Sequence, residues 1–413
     1  MMKSESTTCL VVGGGPAGMV LGLLLARAGV QVTVLEKHVD FLRDFRGDTV
    51  HASTLTLLDE LGLGARFAAL PHRDVESLGA VFDAGEATVA DFTRLPGSVK
   101  HIAFVPQWDL LDLLAEAAEE EPTFTLVRNA EVTDVLRGHG IEGVRYTDRA
   151  TGIEHEMRAV LTVACDGRDS VVRASAGLEP RRFGVPMDVW WFRLPRRADD
   201  PEGGLGRLSA GRFCILIDRG AEWQCAYIIR KGGDAELRAA GIDAFRRGLA
   251  ELVPWLADRV CAVESFDDVK LLSVELNRVH RWYADGLLLI GDAAHAMSPV
   301  GGVGINLAVA DAVAAARILG PHLAADGAAA TAVPTTVLRR VQRRRWLPAF
   351  LIQSGQRAIH RQVLSRTLSR ASSSAGLPRA IAALQRFPAL QGIPARIVAL
   401  GPLPEHAPEW ARR

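Results

Sequence analysis

The sequence predicts an α/β fold in which a sheet opened by a βαβ unit is interleaved with a β-rich lobe and followed by a helical region. Three strand-to-loop turns carry that expectation. Each ends an apolar, β-rich run in glycine or aspartate: Val12 runs into Gly13-Gly14-Gly15-Pro16-Ala17-Gly18, Cys165 into Asp166-Gly167, and Leu287-Leu288-Leu289-Ile290 into Gly291-Asp292. The glycine cluster after the third turn leads into an alanine-rich helix starting near Gly304. Such a loop frees the backbone to approach a ligand and aims the positive end of a helix at it, which suits an anion or an electron-rich ring.

Bulk properties narrow the class. A chain of 413 residues can form two or more domains. Lys+Arg and Asp+Glu both number 48, so no global charge draws the protein to nucleic acid or to an acidic membrane. Its 48% hydrophobic and 23% charged content is ordinary for a globular protein. The five cysteines (Cys9, Cys165, Cys214, Cys225 and Cys261) lack metal or redox spacing, so no metal site is expected and they read as buried thiols in a reducing compartment. Residues 1–6 enter a strand without a signal-peptide segment, and no run approaches membrane-spanning length, which predicts a cytoplasmic protein.

The first turn sits in a βαβ unit: a strand over Thr7–Val12, a helix over Met19–Ala28 stopped by Gly29, and a second strand over Val30–Leu35 ending at Glu36. Within the Rossmann-like G-x-G-x-x-G pattern, Gly13 makes the tight turn, Gly15 lets the main chain approach a pyrophosphate, and Gly18 lets helix and strand pack closely. Glu36 can accept hydrogen bonds from ribose hydroxyls, and its charge argues against a 2′-phosphate. Beyond it, Arg46 could pair with phosphate, and Ser53 is expected to cap a helix through Leu61 that Gly62 and Gly64 end.

Short strands are expected over 75–105 around the turn Asp83-Ala84-Gly85-Glu86, then an amphipathic helix over Gln107–Glu120 with a stripe of Leu110, Leu111, Leu114 and Ala118. Strand signals follow at 123–127, 130–136, 141–147 and 158–165. Residues 185–230 alternate β-rich runs with turns, an antiparallel lobe whose Trp190, Trp191 and Phe192 either line an apolar pocket or fill plain core. A helix near 234–250 and a strand near 268–276 lead to the third turn. Past Leu319 the chain is helical, and Arg339-Arg340-Val341-Gln342-Arg343-Arg344-Arg345 reads as a solvated face rather than a nucleic-acid patch, since stacking aromatics are sparse there.

Taken together, these motifs resemble the fingerprint of the group A FAD-dependent monooxygenases, the aromatic hydroxylases similar to para-hydroxybenzoate hydroxylase, over about residues 7–320. The resemblance implies an FAD-binding domain assembled from residues 1–74, 106–180 and 277–320, with substrate-lobe strands at 75–105, a β-rich substrate domain at 181–276 and a helical region at 321–413. It implies FAD contacts from Gly13, Gly15, Pro16, Ala17 and Gly18 to the pyrophosphate and from Glu36 and Lys37 around the adenosine ribose. It adds Arg46 and Gln107 along the cofactor, the Val132 main chain at adenine, Asp166-Gly167 as the family's Asp-Gly motif, and Asp292 at the pyrophosphate–ribityl region. Pro299, Gly301, Gly302, Val303, Gly304, Ile305 and Asn306 would pack on the isoalloxazine.

By the same resemblance, NAD(P)H is a transient reductant and a flavin C4a-hydroperoxide transfers oxygen from O₂ to a hydrophobic aromatic or heteroaromatic small molecule. No second G-x-G-x-x-G for the nicotinamide is present, which is normal in that family, and the thioredoxin-like domain of phenol-hydroxylase-type relatives is not expected. Trp190-Trp191-Phe192 does not match the W-x-W-x-I-P of flavin-dependent halogenases. His51, beyond Arg46 in a loop that borders the flavin in the family, is the candidate catalytic base, against a histidine bonded to backbone; His295 suits a structural hydrogen bond. Two other readings stay open: an FAD-dependent reductase or dehydrogenase of isoprenoid-type substrates, and a non-catalytic flavoprotein binder.

Overall fold

The structure, a computed structural model, describes residues 4–42, 49–201, 203–209, 211–326, 332–361 and 379–413. Strand β1 (Ser4–Val12), helix α1 (Pro16–Arg27) and strand β2 (Val32–Leu35) form the opening unit. Ten consecutive residues of α1, Ala17 to Ala26, are buried, so this helix is apolar all round because it is covered on every side. It lies close on the sheet because position 22 has no side chain: a Cβ on Gly22 would sit 2.8 Å from the Phe124 ring and 2.9 Å from Val34.

Next come β3 (Thr49–Val50), α2 (Ala52–Glu60), α3 (Gly64–Ala68), β4 (Arg73–Val75), β5 (Ser77–Phe82), β6 (Gly85–Asp91), β7 (Ile102–Phe104) and α4 (Gln107–Glu119). Helix α2 differs from expectation at its start. Its N-cap is His51, and the Ser53 hydroxyl, instead of capping, donates to Asn306 Oδ1 across the molecule. Gly64 likewise opens the short α3 rather than only closing α2.

Strands β8 (Phe124–Val127), β9 (Ala130–Arg137), β10 (Ile141–Asp148) and β11 (Glu154–Ala164) complete most of the main sheet. After α5 (Val171–Ser175) and β12 (Pro180–Phe183), the second lobe is built from β13 (Met187–Pro195), β14 (Gly204–Ser209), β15 (Arg212–Asp218), β16 (Glu222–Arg230), α6 (Asp234–Ala239), α7 (Ile242–Leu252) and β17 (Lys270–Leu272). The helix expected near 234–250 is two helices because Gly241 takes φ +88° between them. Strands β18 (Leu276–Val279), β19 (Tyr283–Ala284) and β20 (Leu287–Leu289) return to the main sheet, followed by α8 (Gly304–Asp326), α9 (Thr335–Ile359), α10 (Arg379–Arg386) and α11 (Gly392–Ala399).

The main sheet runs β19-β20-β11-β1-β2-β8, parallel from β20 to β8, with β10 and β9 added along the first half of β11. The second sheet runs β17-β13-β16-β15-β14-β5-β6. One of its faces, with Trp190, Phe192, Cys214, Leu216, Trp223 and Cys225, is buried under Phe245, Leu249 and Leu252 of α7. Its other face, with Val189, Phe213, Ile215, Ala226 and Ile228, packs toward Val300 of the loop before α8. Strand alternation therefore separates the three aromatics: Trp190 and Phe192 are core, while Trp191 points to the Val300 side.

Two other expectations change. Gly304–Ala324 of α8 is long and apolar enough to cross a membrane, contrary to the reading of the chain, but 67% of that window is buried, and α8 packs against α1 and α9 as a core helix. In the arginine-rich run, Arg339, Arg340, Arg343 and Arg344 are exposed, whereas Arg345 is fully buried. All five cysteines are free; Cys9, Cys214 and Cys225 are buried, Cys165 is half-buried, and Cys261 is exposed because it falls on a surface turn, Val260–Ala262.

Candidate active site

The parallel strands end in register. Val12 lies opposite both Ala164 and Leu35, and Ala164 opposite Leu289, so the three turns leave the sheet side by side at its carboxyl edge. At Gly13, φ is +104° and a Cβ would stand 2.6 Å from the Cys165 carbonyl oxygen. At Gly18 a Cβ would stand 1.9 Å from the Gly13 carbonyl oxygen, so the start of α1 rests directly on the turn. Gly15 is the N-cap of α1, with no heavy atom within 4 Å of the place a Cβ would take. No side chain caps this helix, and Pro16 at its first position presets the geometry, so the orphan amides of its first turn point out of the fold where Gly15 leaves room.

Glu36 is 2% exposed; its carboxylate accepts from the Gly14 amide at 2.9 Å and the His38 amide at 3.0 Å, which ties the end of β2 to the glycine turn. Lys37 beside it is exposed. Asp166 accepts from Ser170 Oγ at 2.5 Å and from the Val172 amide at 3.2 Å, and burial pushes its carboxyl up against those bonds. Gly167 follows with φ +87° and open space on its Cβ side. Gln107 opens α4 and is half-buried, and Val132 is buried on β9 in the cluster that holds Leu10, Val12 and Leu35. Arg46 lies outside the described residues.

The third turn is held differently. Asp292 is half-buried on the turn Gly291–Ala293, and Pro299 and Ile305 are half-buried while Val303 is buried. Gly301 and Gly302 take φ +84° and +63°, a conformation that favours glycine, and Gly304 opens α8 with nothing within 4 Å of its Cβ side. Asn306 Oδ1 accepts from Ser53 Oγ at 2.5 Å and Thr54 Oγ1 at 2.9 Å. From α9, Gln356 Nε2 donates to the carbonyls of Ser298 (2.8 Å) and Val300 (2.9 Å), and its Oε1 accepts from the Ser298 amide at 3.1 Å. Gln353 Nε2 donates to Asn277 O at 2.7 Å and Ala296 O at 3.2 Å, and His360 Nε2 meets Ser298 Oγ at 2.9 Å. Reading the sequence missed these clamps; their only trace is Gln353, Gln356 and His360 recurring at helical spacing on one face of α9.

Beneath the loop runs a buried ionic chain. Asp311 on α8, fully buried, accepts from the Gly291 amide at 3.1 Å, lies 2.6 Å from His295 Nε2 and accepts from Arg345 Nε at 2.9 Å. Arg345 continues to the Leu403 carbonyl at 3.1 Å and to Glu405 at 3.6 Å, and Glu405 accepts two hydrogen bonds from Arg344 at 2.7 and 2.8 Å. Burial works to raise the Asp311 carboxyl, but the charges and hydrogen bonds of His295 and Arg345 outweigh it and hold the group below the usual carboxylate range.

His51 is fully buried, its Nδ1 2.7 Å from the Val398 carbonyl oxygen and its Nε2 3.0 Å from that of Gly302. Burial pushes its pKa below the ordinary imidazole value, against the pull of those two carbonyls. The structure therefore brings His51 to the Gly302 loop and joins that loop to α11.

An open helix start at Gly15, a buried acid at the end of β2, and a second helix start at Gly304 fit an extended dinucleotide with a flat ring at one end. The profile of the FAD binding domain family matches residues 6–333. The protein belongs to that family. The chain is 36% identical over 326 residues to 6-methylpretetramide 4-monooxygenase from Streptomyces rimosus, covering 76% of this chain and 75% of that one. It is 29% identical over 323 residues to rifampicin monooxygenase from Streptomyces venezuelae, covering 73% of this chain and 62% of the relative. Among solved structures it shares its fold with OxyS anhydrotetracycline hydroxylase from Streptomyces rimosus, at a TM-score of 0.74 and 24% identity, covering 96% of this chain and 76% of that one.

Proposed function

We propose that this flavoprotein is a monooxygenase that hydroxylates a hydrophobic aromatic small molecule of polyketide type, with NAD(P)H as the transient reductant. One observation carries the reading: Val300, in the loop that precedes α8, packs against the apolar sheet face of Val189, Ala226 and Ile228, with Trp191, Phe213 and Ile215 beside them. The ring end of an FAD site thus meets a surface that suits a flat, apolar substrate. The names of the two curated relatives, both monooxygenases, support the same reading.

In this reading Gly15, Pro16, Ala17 and Gly18 hold the pyrophosphate, Glu36 and Lys37 the adenosine ribose, and the Val132 main chain the adenine. Gln107, Arg46, Asp166, Gly167 and Asp292 line the middle of the cofactor, and Pro299 with Gly301 to Asn306 meets its ring. Bound FAD supplies the activation of O₂ by electrons from NAD(P)H. The rest falls to the chain. The start of α8 stabilises negative charge at the ring, Gln356 and His51 fix the loop carbonyls, and the sheet face keeps water from the reacting centre. His51 can take a proton from substrate only by releasing one of its two carbonyl contacts, so its first role here is to position the Gly302 loop. The free cysteines fit a cytoplasmic setting.

Incubation of the FAD-loaded protein with NAD(P)H, ¹⁸O₂ and a panel of polycyclic aromatic polyketides tests the proposal. One ¹⁸O atom is expected in the product per NAD(P)H consumed. Oxidation of NAD(P)H that returns only hydrogen peroxide, on every member of the panel, would overturn it.

A further inference from the structure

Among the described residues, three indole donors in and near the second lobe are paired and one buried indole donor is not. Trp190 Nε1 donates to Asp234 at 2.7 Å, Trp223 Nε1 to Asp200 at 2.9 Å, and Trp282 Nε1 to the Val279 carbonyl at 3.1 Å. Trp191 Nε1 is buried and has no hydrogen-bond partner among the described residues. Its ring lies on the sheet face that meets Val300.

A second orphan donor shares that face. On β16, Gln224, Ala226 and Ile228 alternate with the core residues Trp223, Cys225 and Ile229, so Gln224 points to the same side as Ala226. Register places Trp191 opposite Ala226 and Arg193 opposite Gln224, which makes Trp191 and Gln224 diagonal neighbours. Arg219 Nε donates to Gln224 Oε1 at 3.0 Å, which settles the orientation of the amide. The Nε2 group is thereby the free end, and it too is buried without a partner. Between the two donors the floor is low, because Ala226 stands opposite both Trp191 and Ile215.

Native proteins leave few buried donors unpaired, and two on one ligand-facing surface select for acceptors. Resting on the monooxygenase reading, we infer that Trp191 Nε1 and Gln224 Nε2 are the polar anchors of the substrate, donating to carbonyl or phenolate oxygens on the edge of a flat ring system lying over Ala226 and Ile215. The pair rejects a hydrocarbon of the same shape, which would leave both donors unsatisfied, and an ammonium-bearing ring, which would bring donors to donors. Both are positioning residues that orient the ring against the loop at Val300 and take no part in proton or oxygen transfer.

The test compares 9-fluorenone with fluorene, flat tricycles that differ by one carbonyl oxygen, on the FAD-loaded protein. Binding is read from the flavin absorbance change, and the indole N–H signals from ¹⁵N-tryptophan NMR, with the Trp191 signal assigned by its loss in Trp191→Phe. Fluorenone is expected to bind about tenfold more tightly than fluorene and to move the Trp191 N–H signal downfield, and Trp191→Phe or Gln224→Leu should each erase most of that preference. If Trp191→Phe does not retain FAD, Gln224→Leu together with the wild-type NMR titration decides. A Trp191 N–H signal that stays in place at saturating fluorenone, an undiminished preference in Gln224→Leu, or no flavin response to either compound overturns the inference. Incorporation of ¹⁸O with an unmoved Trp191 signal would sink the anchors alone; a moved signal without ¹⁸O incorporation would sink the hydroxylation alone.

Discussion

At the phosphate end of the FAD site proposed above, Gly13, Gly15, Gly18 and Glu36 come from one continuous β1–α1–β2 stretch, with Glu36 on the Gly14 amide and Gly18 against the Gly13 carbonyl, while Gly13 also lies against the Cys165 carbonyl. At the ring end, Gly291 to Asn306 is gripped from elsewhere. Asp311 and Arg345 hold Gly291 and His295 from below, Gln353, Gln356 and His360 hold residues 296–300 from α9, and His51, Ser53 and Thr54 hold Gly302 and Asn306 from α2 and its N-cap. A largely local motif thus shapes the first turn. The loop at 291–306 needs distant parts of the chain to set it.

The sharpest way to break the ring end is Arg345→Met. It strands the buried Asp311 carboxylate, and a loss of about 3–5 kcal/mol is expected by urea unfolding. Gly18→Ala attacks the other end. A methyl 1.9 Å from a backbone oxygen forces α1 off its turn, so about 1–3 kcal/mol should be lost, with FAD occupancy falling more than for Arg345→Met at matched stability. Because α1 packs against α8, which carries Asp311, the stability losses in the double variant should depart from additivity by more than about 0.5 kcal/mol. Strict additivity would show the two ends to be separate units.

Acid separates the ends next. The folded Asp311 carboxyl titrates below its unfolded value, so its contribution is complete above about pH 4 and is lost as pH falls through the lower folded value. Asp311→Asn should flatten that acid limb in a stability–pH series, and an unchanged limb would remove Asp311 from the account. The smallest effect is expected for Ser53→Ala. With Thr54 still donating to Asn306, about 0.5–1.5 kcal/mol is lost, while product formation per NAD(P)H falls before FAD retention does.

That contrast explains what could be read from the residues. The βαβ unit, the strands at 124–127, 130–137 and 141–148, and the helix at 107–119 follow from periodicity and turn chemistry, which act over neighbours in the chain. The family resemblance extends that reading to FAD and to the fold. Asp311, Arg345, Gln353 and Gln356 stayed hidden because a charge or an amide on a helix looks solvated until the helix is packed. Arg345 sits in a run whose other arginines are indeed exposed. Ser53 showed the same limit: its expected cap was a local option, and a distant asparagine took the hydroxyl instead. Trp190 and Trp191 differ by one position in the chain and by opposite faces in the sheet, and only pairing register decides which is which.

Arg345 and Glu405, which lock the loop from below, lie well beyond Gly291 in the chain. The turn at Gly13–Gly18 also waits for later chain, since Gly13 lies against the Cys165 carbonyl, β1 pairs with β11, and α1 is covered by α4 and α8. Neither end is complete until residues far along the chain have joined the fold, so a truncation that removes Glu405 is expected to loosen residues 291–306 even though they are intact.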